Sequence, residues 1–247
     1  MDNRKLGRQP ARHDPRTLKL ASYLDVKTLP AIPGTQEWGG PVSQWGMMKN
    51  DTLGDCTIAA AGHLILMDTT YQKKPFTPSD DQIVSAYSAI TGYDPSDPST
   101  DQGAVELDVL KYWRKSGIAN HKIVAFVSVP ATNLALVRAA IYLFGAVYSG
   151  VNLPVSAQDQ EVWDVNGPGD NSPGSWGGHA VPLVGYGDDE MTCVTWGALK
   201  NLTTAWWLAY GEEAYAIVSA DWAPPDACAP NSFNLTQLKA DLADVTK

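Results

Sequence analysis

Two residues of this chain are placed to do covalent chemistry. Cys56 follows Gly54-Asp55 and opens a run of helix-forming residues, CTIAAAGHLILMDTT. A helix N-terminus offers unpaired N–H groups and the positive end of a dipole. Both favour a thiolate, the nucleophilic form of cysteine, and the same N–H groups can hold an oxyanion. His179 lies 123 residues further on, in Gly177-Gly178-His179-Ala180-Val181-Pro182-Leu183-Val184-Gly185-Tyr186-Gly187. The two glycines let another chain segment come close, and the apolar strand behind would fix the imidazole. A single cysteine with a distant histidine is the pattern of a thiol nucleophile and its base, brought together by the fold.

The elements that must position these groups can be read from periodicity. Asp55 is expected to cap a buried helix over 56–70, with Ile58, Ala61, Ile65 and Leu66 along one face. A second helix opens at Thr77-Pro78-Ser79-Asp80 and runs to about Ile90, with Thr77 or Ser79 as cap. A third spans 104–116 and stops at Ser116-Gly117. Beyond it the texture turns β-branched. Strands are predicted over 122–129, 146–151, 180–185, 191–196, 205–210 and 215–219, with one helix over 133–144. Residues 155–176 form an excursion rich in Gly, Pro, Asp and Asn. Trp206-Trp207 in a strand would place one ring on each face, one of them covered by a partner or the C-terminal tail. Helices first and strands later define an α+β fold. The organisation is an extended arm and lead-in (1–45), a helical lobe (46–120), a β-rich lobe (121–222) and a tail (223–247) with a short helix over 235–242.

The segments that match a known family do so in order. They are Gly54-Asp55-Cys56 leading an apolar helix, Gln102-Gly103 before a helix ending in Ser116-Gly117-Ile118, and His179-Ala180-Val181 running into Val184-Gly185-Tyr186-Gly187. Thr195-Trp196-Gly197 and Tyr210-Gly211-Glu212-Glu213-Ala214-Tyr215 follow. Over residues 41–219 the chain resembles the papain-like cysteine peptidases. The resemblance implies a two-lobed fold, with an N-terminal helical lobe, a C-terminal antiparallel β-sheet or barrel lobe, and the site in the cleft between them. Cys56 would be the nucleophile and His179 the base. The family's oxyanion glutamine, six residues before the cysteine, falls on Asn50, which keeps the amide but is one methylene shorter. The family's tryptophan after the cysteine is Thr57 here. The asparagine that orients the histidine falls on Val194, which cannot hold a tautomer, leaving Thr195 as the candidate orienting group. The lead-in is short and proline-rich, unlike an inhibitory helical prodomain. The stretch Asn50–Cys56 also resembles segments of bacterial and bacteriophage proteins.

The function that follows is a papain-like thiol hydrolase, a cysteine peptidase or amidase acting on a peptide or protein in the cleft. Acyl transfer by the same Cys–His pair is a variant of that chemistry. The alternative is a catalytically impaired papain-fold structural or binding component of a larger assembly such as a virion particle, with residues 1–25 as a clamp. Composition narrows the remainder. The chain has 247 residues and a net charge of −9, but residues 1–20 carry six Lys/Arg against Asp2 and Asp14, so the arm is +4 and the rest −13. An acidic body disfavours nucleic acid. The basic arm would pair with an acidic partner protein or with its own body. No apolar run reaches a membrane span, and nothing apolar follows Met1–Lys5 to form a secretory signal, so the expected location is cytoplasmic or particle-associated. Three cysteines (Cys56, Cys193, Cys228) are too few for a disulfide scaffold or zinc knuckle, and Cys193–Cys228 pairing or free thiols stay open. Asp94, Asp97 and Asp101 are read as turn residues, not a calcium loop, and no metal or cofactor is expected. His63, two helical turns past Cys56, is read as a core histidine, and His13 and His121 have no evident partner.

Overall fold

The computed structural model describes residues 4–24, 31–222, 236, 237, 240 and 241. The helical half begins with α1 (Cys56–Tyr71), followed by α2 (Asp80–Thr91) and α3 (Glu106–Lys115). Helix α1 is buried over all but its last two residues, which explains why its sequence is apolar around the full circumference. Ser79 caps α2 with a reciprocal bond pair to Gln82, and Gly92 ends it in the left-handed conformation. Helix α3 carries Arg114 and Lys115 in its last turn, matching the negative end of its dipole.

The second half is one antiparallel sheet. Its strands are β2 (Ile123–Ser128), β3 (Val147–Leu153), β4 (Gly177–Tyr186), β5 (Glu190–Thr195), β6 (Ala198–Thr203) and β7 (Gly211–Ser219), in the spatial order β2-β7-β3-β4-β5-β6. A two-residue strand, β1 (Gln36–Glu37), pairs with β4 at Tyr186 and Gly185. The strand path is open, so the lobe is a sheet and not a closed barrel. Alternation sorts the side chains onto two faces. Tyr148, Ala180, Val184, Tyr215 and Ile217 pack toward α1 and the helical half. Val147, Val151, Val181, Leu183, Ala214 and Ala216 pack with α4 (Leu134–Phe144) and α5 (Thr204–Tyr210).

Three expectations need correction. Residues 204–210 are helix α5, not a strand, with Thr203 capping it through Trp206 N–H. Trp206 and Trp207 therefore both point into the core, fully buried, and neither waits for a partner. Strand β6 was not foreseen: it forms because Trp196 and Gly197 both adopt positive φ (43° and 75°), making a two-residue hairpin turn after β5. Asp55 stands at the N-cap position of α1, but its side chain makes no capping bond. The expected tail helix and Cys228 fall largely or wholly outside the described residues, so the pairing of Cys228 is not addressed, whereas Cys56 and Cys193 are buried free thiols.

Candidate active site

Cys56 is the first residue of α1, 1% exposed, at the seam where α1 packs on β4. The backbone N–H of Ala180, the residue after His179, faces its sulfur. The fold thus brings the N-terminus of α1 against the start of β4. Below, the Tyr148 hydroxyl donates to Thr57 O at 2.8 Å and ties the first turn of α1 to β3.

The imidazole is held from two sides. His179 Nε2 bonds Thr195 Oγ1 at 2.7 Å, and the Trp196 ring stacks on it at 4.3 Å between centroids, 13° from parallel. The strained turn at Trp196-Gly197 delivers that ring. Val194, at the position where the family would place an asparagine, is fully buried core, and the neighbouring Thr195 bonds the imidazole instead. Nδ1 of His179 is buried and has no hydrogen-bond partner.

The loop before Cys56 is locked by groups that lie far off in sequence. Gly54 N–H donates to Asp101, both oxygens at 3.1 Å; the Tyr87 hydroxyl donates to Asp101 Oδ1 at 2.6 Å and accepts from Gly103 N–H at 2.8 Å. Asp101 therefore positions the loop that leads into Cys56, a role its place in a polar stretch did not signal. Asp94 and Asp97 do make local turns, onto Ser96 and Ser99. Asn50 is buried; its Nδ2 donates to Leu53 O at 3.1 Å, and its amide lies against the Asp55 carboxyl. Asp55 is fully buried, and burial drives its carboxyl well above the usual range, with Asn50 opposing only in part. His63 is a core histidine bonded to Gly46 O at 3.0 Å, and burial lowers it to about 4. His121 pairs with Asp221 at 2.7 Å, a partner the sequence did not suggest.

The cleft between the lobes is occupied by the chain's own arm. Lys5 N–H donates to Asn50 O (3.1 Å), Arg8 N–H to Gly178 O (3.2 Å) and Gln9 N–H to Ala104 O (2.9 Å), while Ala104 N–H donates to Gly7 O (2.8 Å). Arg8 pairs with Ala104 in the parallel sense. The passage works because glycines line it. A Cβ on Gly7 would sit 2.6 Å from Gly54 Cα, one on Gly103 3.0 Å from Gly7 Cα, and one on Gly177 2.8 Å from Leu6 Cδ1. As expected, the arm is not helical here; it closes the cleft as an extended strand. Several of its charges are met by the body. Arg12 pairs with Asp108, the arm's Asp14 takes Lys111, and Arg4 lies over the Trp176 and Trp196 rings at 5.1 and 5.2 Å.

The orientation of the arm determines what the sulfur meets. Gly7 turns its N–H to Cys56 and its carbonyl to Ala104. The Cys56 sulfur thus faces an N–H donor of the arm rather than a carbonyl carbon. Closure also favours the neutral forms of Cys56 and His179. Burial raises the Cys56 thiol to about 12, with Asp55 and Glu106 adding and the Ala180 and Gly7 N–H groups opposing. Burial lowers His179 to about 3, and the cations Arg8 and Arg4 add to it.

Among the described residues, no group of three His, Cys, Asp or Glu is placed to hold a metal ion, and no helix is long and apolar enough to cross a membrane. The architecture just described is that of the papain-like cysteine proteases: Cys-bearing helix, His-bearing antiparallel sheet, and cleft between. Among solved structures the chain is similar to xylellain, a cysteine protease from Xylella fastidiosa, with TM-score 0.69 and 16% identity over 88% of this chain and 97% of that one. It is also similar to procathepsin B from Trypanosoma congolense (0.63, 10%, 88% and 87%) and to bromelain protease from Ananas comosus (0.54, 15%, 76% and 100%). No family model and no curated protein matches the sequence. At these identities the likeness establishes the fold.

Proposed function

We propose that this chain is a papain-like thiol hydrolase acting on peptide or amide bonds, held closed by residues 5–9. The observation that carries the reading is the meeting of three elements at one point. Cys56 opens α1, the backbone beside His179 faces its sulfur, and Thr195 and Trp196 fix the imidazole. With Nε2–H donating to Thr195 Oγ1, Nδ1 presents its lone pair for the thiol proton. The thiolate adds to the carbonyl carbon, and the Cys56 N–H at the helix N-terminus holds the oxyanion. The imidazolium then gives its proton to the leaving amine as the C–N bond breaks, and water hydrolyses the thioester by the same base. Asn50 supplies a second oxyanion donor if one of its N–H groups turns from Leu53 or Asp55 when the arm leaves. Leaving of the arm removes burial from the thiol and two cations from the imidazole, so both groups shift toward the thiolate–imidazolium pair.

The test is hydrolysis of a mixed peptide library by the full chain and by a Gly7→Ala chain whose arm no longer fits, each beside its Cys56→Ala and His179→Ala counterparts. Cleavage in the opened chain that vanishes with either substitution supports the reading; cleavage that survives Cys56→Ala overturns it. The closed state with a neutral thiol also suits a second reading, an inert papain-fold component of a larger assembly whose arm never leaves. That reading requires the opened chain to cut nothing and Cys56 to titrate near the ordinary thiol value of ~8.5.

A further inference from the structure

The arm does more than fill the cleft; it places one side chain in a pocket built for its chemistry. Arg8 is 5% exposed. Its Nη1 donates to Glu213 Oε1 at 2.9 Å, and its Nη2 donates to Glu212 and to Asn152 Oδ1, the latter at 2.7 Å. The Tyr215 hydroxyl holds the other Glu213 oxygen at 2.9 Å. Glu106, in the first turn of α3, is fully buried, and neither of its oxygens has a hydrogen-bond partner. It faces the guanidinium across Gly150, where a Cβ would lie 2.6 Å from Arg8 Cδ and 2.8 Å from Glu106 Oε1. Three carboxylates and an amide oxygen thus surround one cation in a space that a single methyl group would spoil.

We propose that this pocket is a guanidinium-binding subsite, which the arm borrows and which selects substrates carrying arginine. The chemistry is specific. Emptied, the pocket leaves Glu106 and Glu213 facing each other without the guanidinium that offsets their repulsion, so it favours a cation inside. The acceptors are spread over both terminal nitrogens, matching a planar fork; a lysine ammonium is one point and cannot reach Glu213, Glu212 and Asn152 together. Position fixes the register. Arg8 adjoins Gly7, the residue facing the sulfur, so a substrate arginine seated here lies one or two residues from the bond Cys56 would attack. The substrate half of the proposal rests on the hydrolase reading; the binding half does not.

The test uses the full-length Arg8→Ala chain with N-acetyl-arginine amide, N-acetyl-citrulline amide and N-acetyl-lysine amide as probes. Citrulline keeps the shape of arginine without the charge. The arginine amide is expected to raise the melting temperature saturably and to bind at least about tenfold more tightly than the other two. The gain is expected to disappear in Arg8→Ala/Glu106→Gln/Glu213→Gln, which buries no unpaired charge and so also serves if Arg8→Ala alone folds poorly. On the unaltered chain, millimolar arginine amide is expected to displace Arg8 and speed alkylation of Cys56, while citrulline amide is not. Equal effects of the three amides on both chains overturn the proposal. Peptides with and without arginine, offered to Arg8→Ala, separate the two readings. Selective binding of the amide with no cleavage leaves the pocket standing and removes its substrate role. Cleavage without preference for arginine leaves the hydrolase and overturns the pocket's role in selecting substrates.

Discussion

Replacing Gly7 with alanine tests whether arm closure sets the state of the nucleophile. The added Cβ would lie 2.6 Å from Gly54 Cα, with the Gly54 carbonyl nearer still, against about 3.5–4.0 Å for carbon atoms in contact. The gap must open by about 1 Å, and both walls are backbone, so no rotamer change relieves it. Displacing the strand forfeits the four backbone bonds of residues 5–9 to Asn50, Gly178 and Ala104. At about 1 kcal/mol each, this amounts to about 4 kcal/mol, enough to shift closure toward opening by about three orders of magnitude. The readout is iodoacetamide labelling of Cys56, followed by peptide mass between about pH 5 and 10. Closed, the thiol stands at about 12, so at pH 8 about one molecule in 10⁴ is thiolate; a thiol at ~8.5 is about one quarter ionised. Opening is therefore expected to speed labelling at pH 8 by about 10³-fold, and to carry it below pH 6 where the Cys–His pair forms. Cys193, buried in the other core cluster, is the internal control and should stay unlabelled. Equal labelling of Cys56 in the parent and Gly7→Ala chains, or rapid labelling of the parent at pH 6–7, would refute the reasoning.

Other consequences follow from the same geometry. Thr195→Val removes the imidazole's one hydrogen-bond partner among the described residues while keeping the volume, and hydrolysis by the opened chain should fall about 10- to 100-fold with little change in melting temperature. Asp55→Asn should flatten the pH dependence of stability. With the native carboxyl raised, the folded chain binds more protons than the unfolded one, so stability falls as pH climbs above about 4 toward the native value; the amide removes this loss and should raise the melting temperature near pH 7–8. Asp101→Ala leaves Gly54 N–H and the Tyr87 hydroxyl without their acceptor and should cost about 1–3 kcal/mol in denaturant unfolding, with activity reduced further than stability explains.

What could be read in the sequence was what local chemistry dictates. Helix α1 was legible because its residues favour helix throughout, and α2 because Ser79 and Gln82 form a cap at fixed spacing. The approach of the start of α1 to β4 was legible because the ordered segments around Cys56 and His179 belong together across a cleft in the family the chain resembles. Residues 204–210 misled because two tryptophans suit a strand by propensity, while Thr203 and the packing of both rings decided for helix. Thr195 was one of several candidates beside Val194, and its bond to Nε2 depends on a hairpin turn with Trp196 at positive φ, which no propensity favours. The Arg8 pocket was out of reach because its walls come from α3, β3 and β7. The pair Glu212-Glu213 ahead of an alternating strand was the one local signal, and Glu106 gave none.

The bond between Arg8 and Glu213 joins positions 205 residues apart, so the arm's seat is completed by the last strand of the sheet. A chain emerging from a ribosome presents residues 5–9 well before the strand that completes their binding site. Loop closure over such a separation is slow and waits on everything between. Refolding from denaturant should accordingly show two events, assembly of the lobes and then docking of the arm. In the interval the thiol is unguarded, and a thiol-reactive probe added early would catch molecules that are folded but still open.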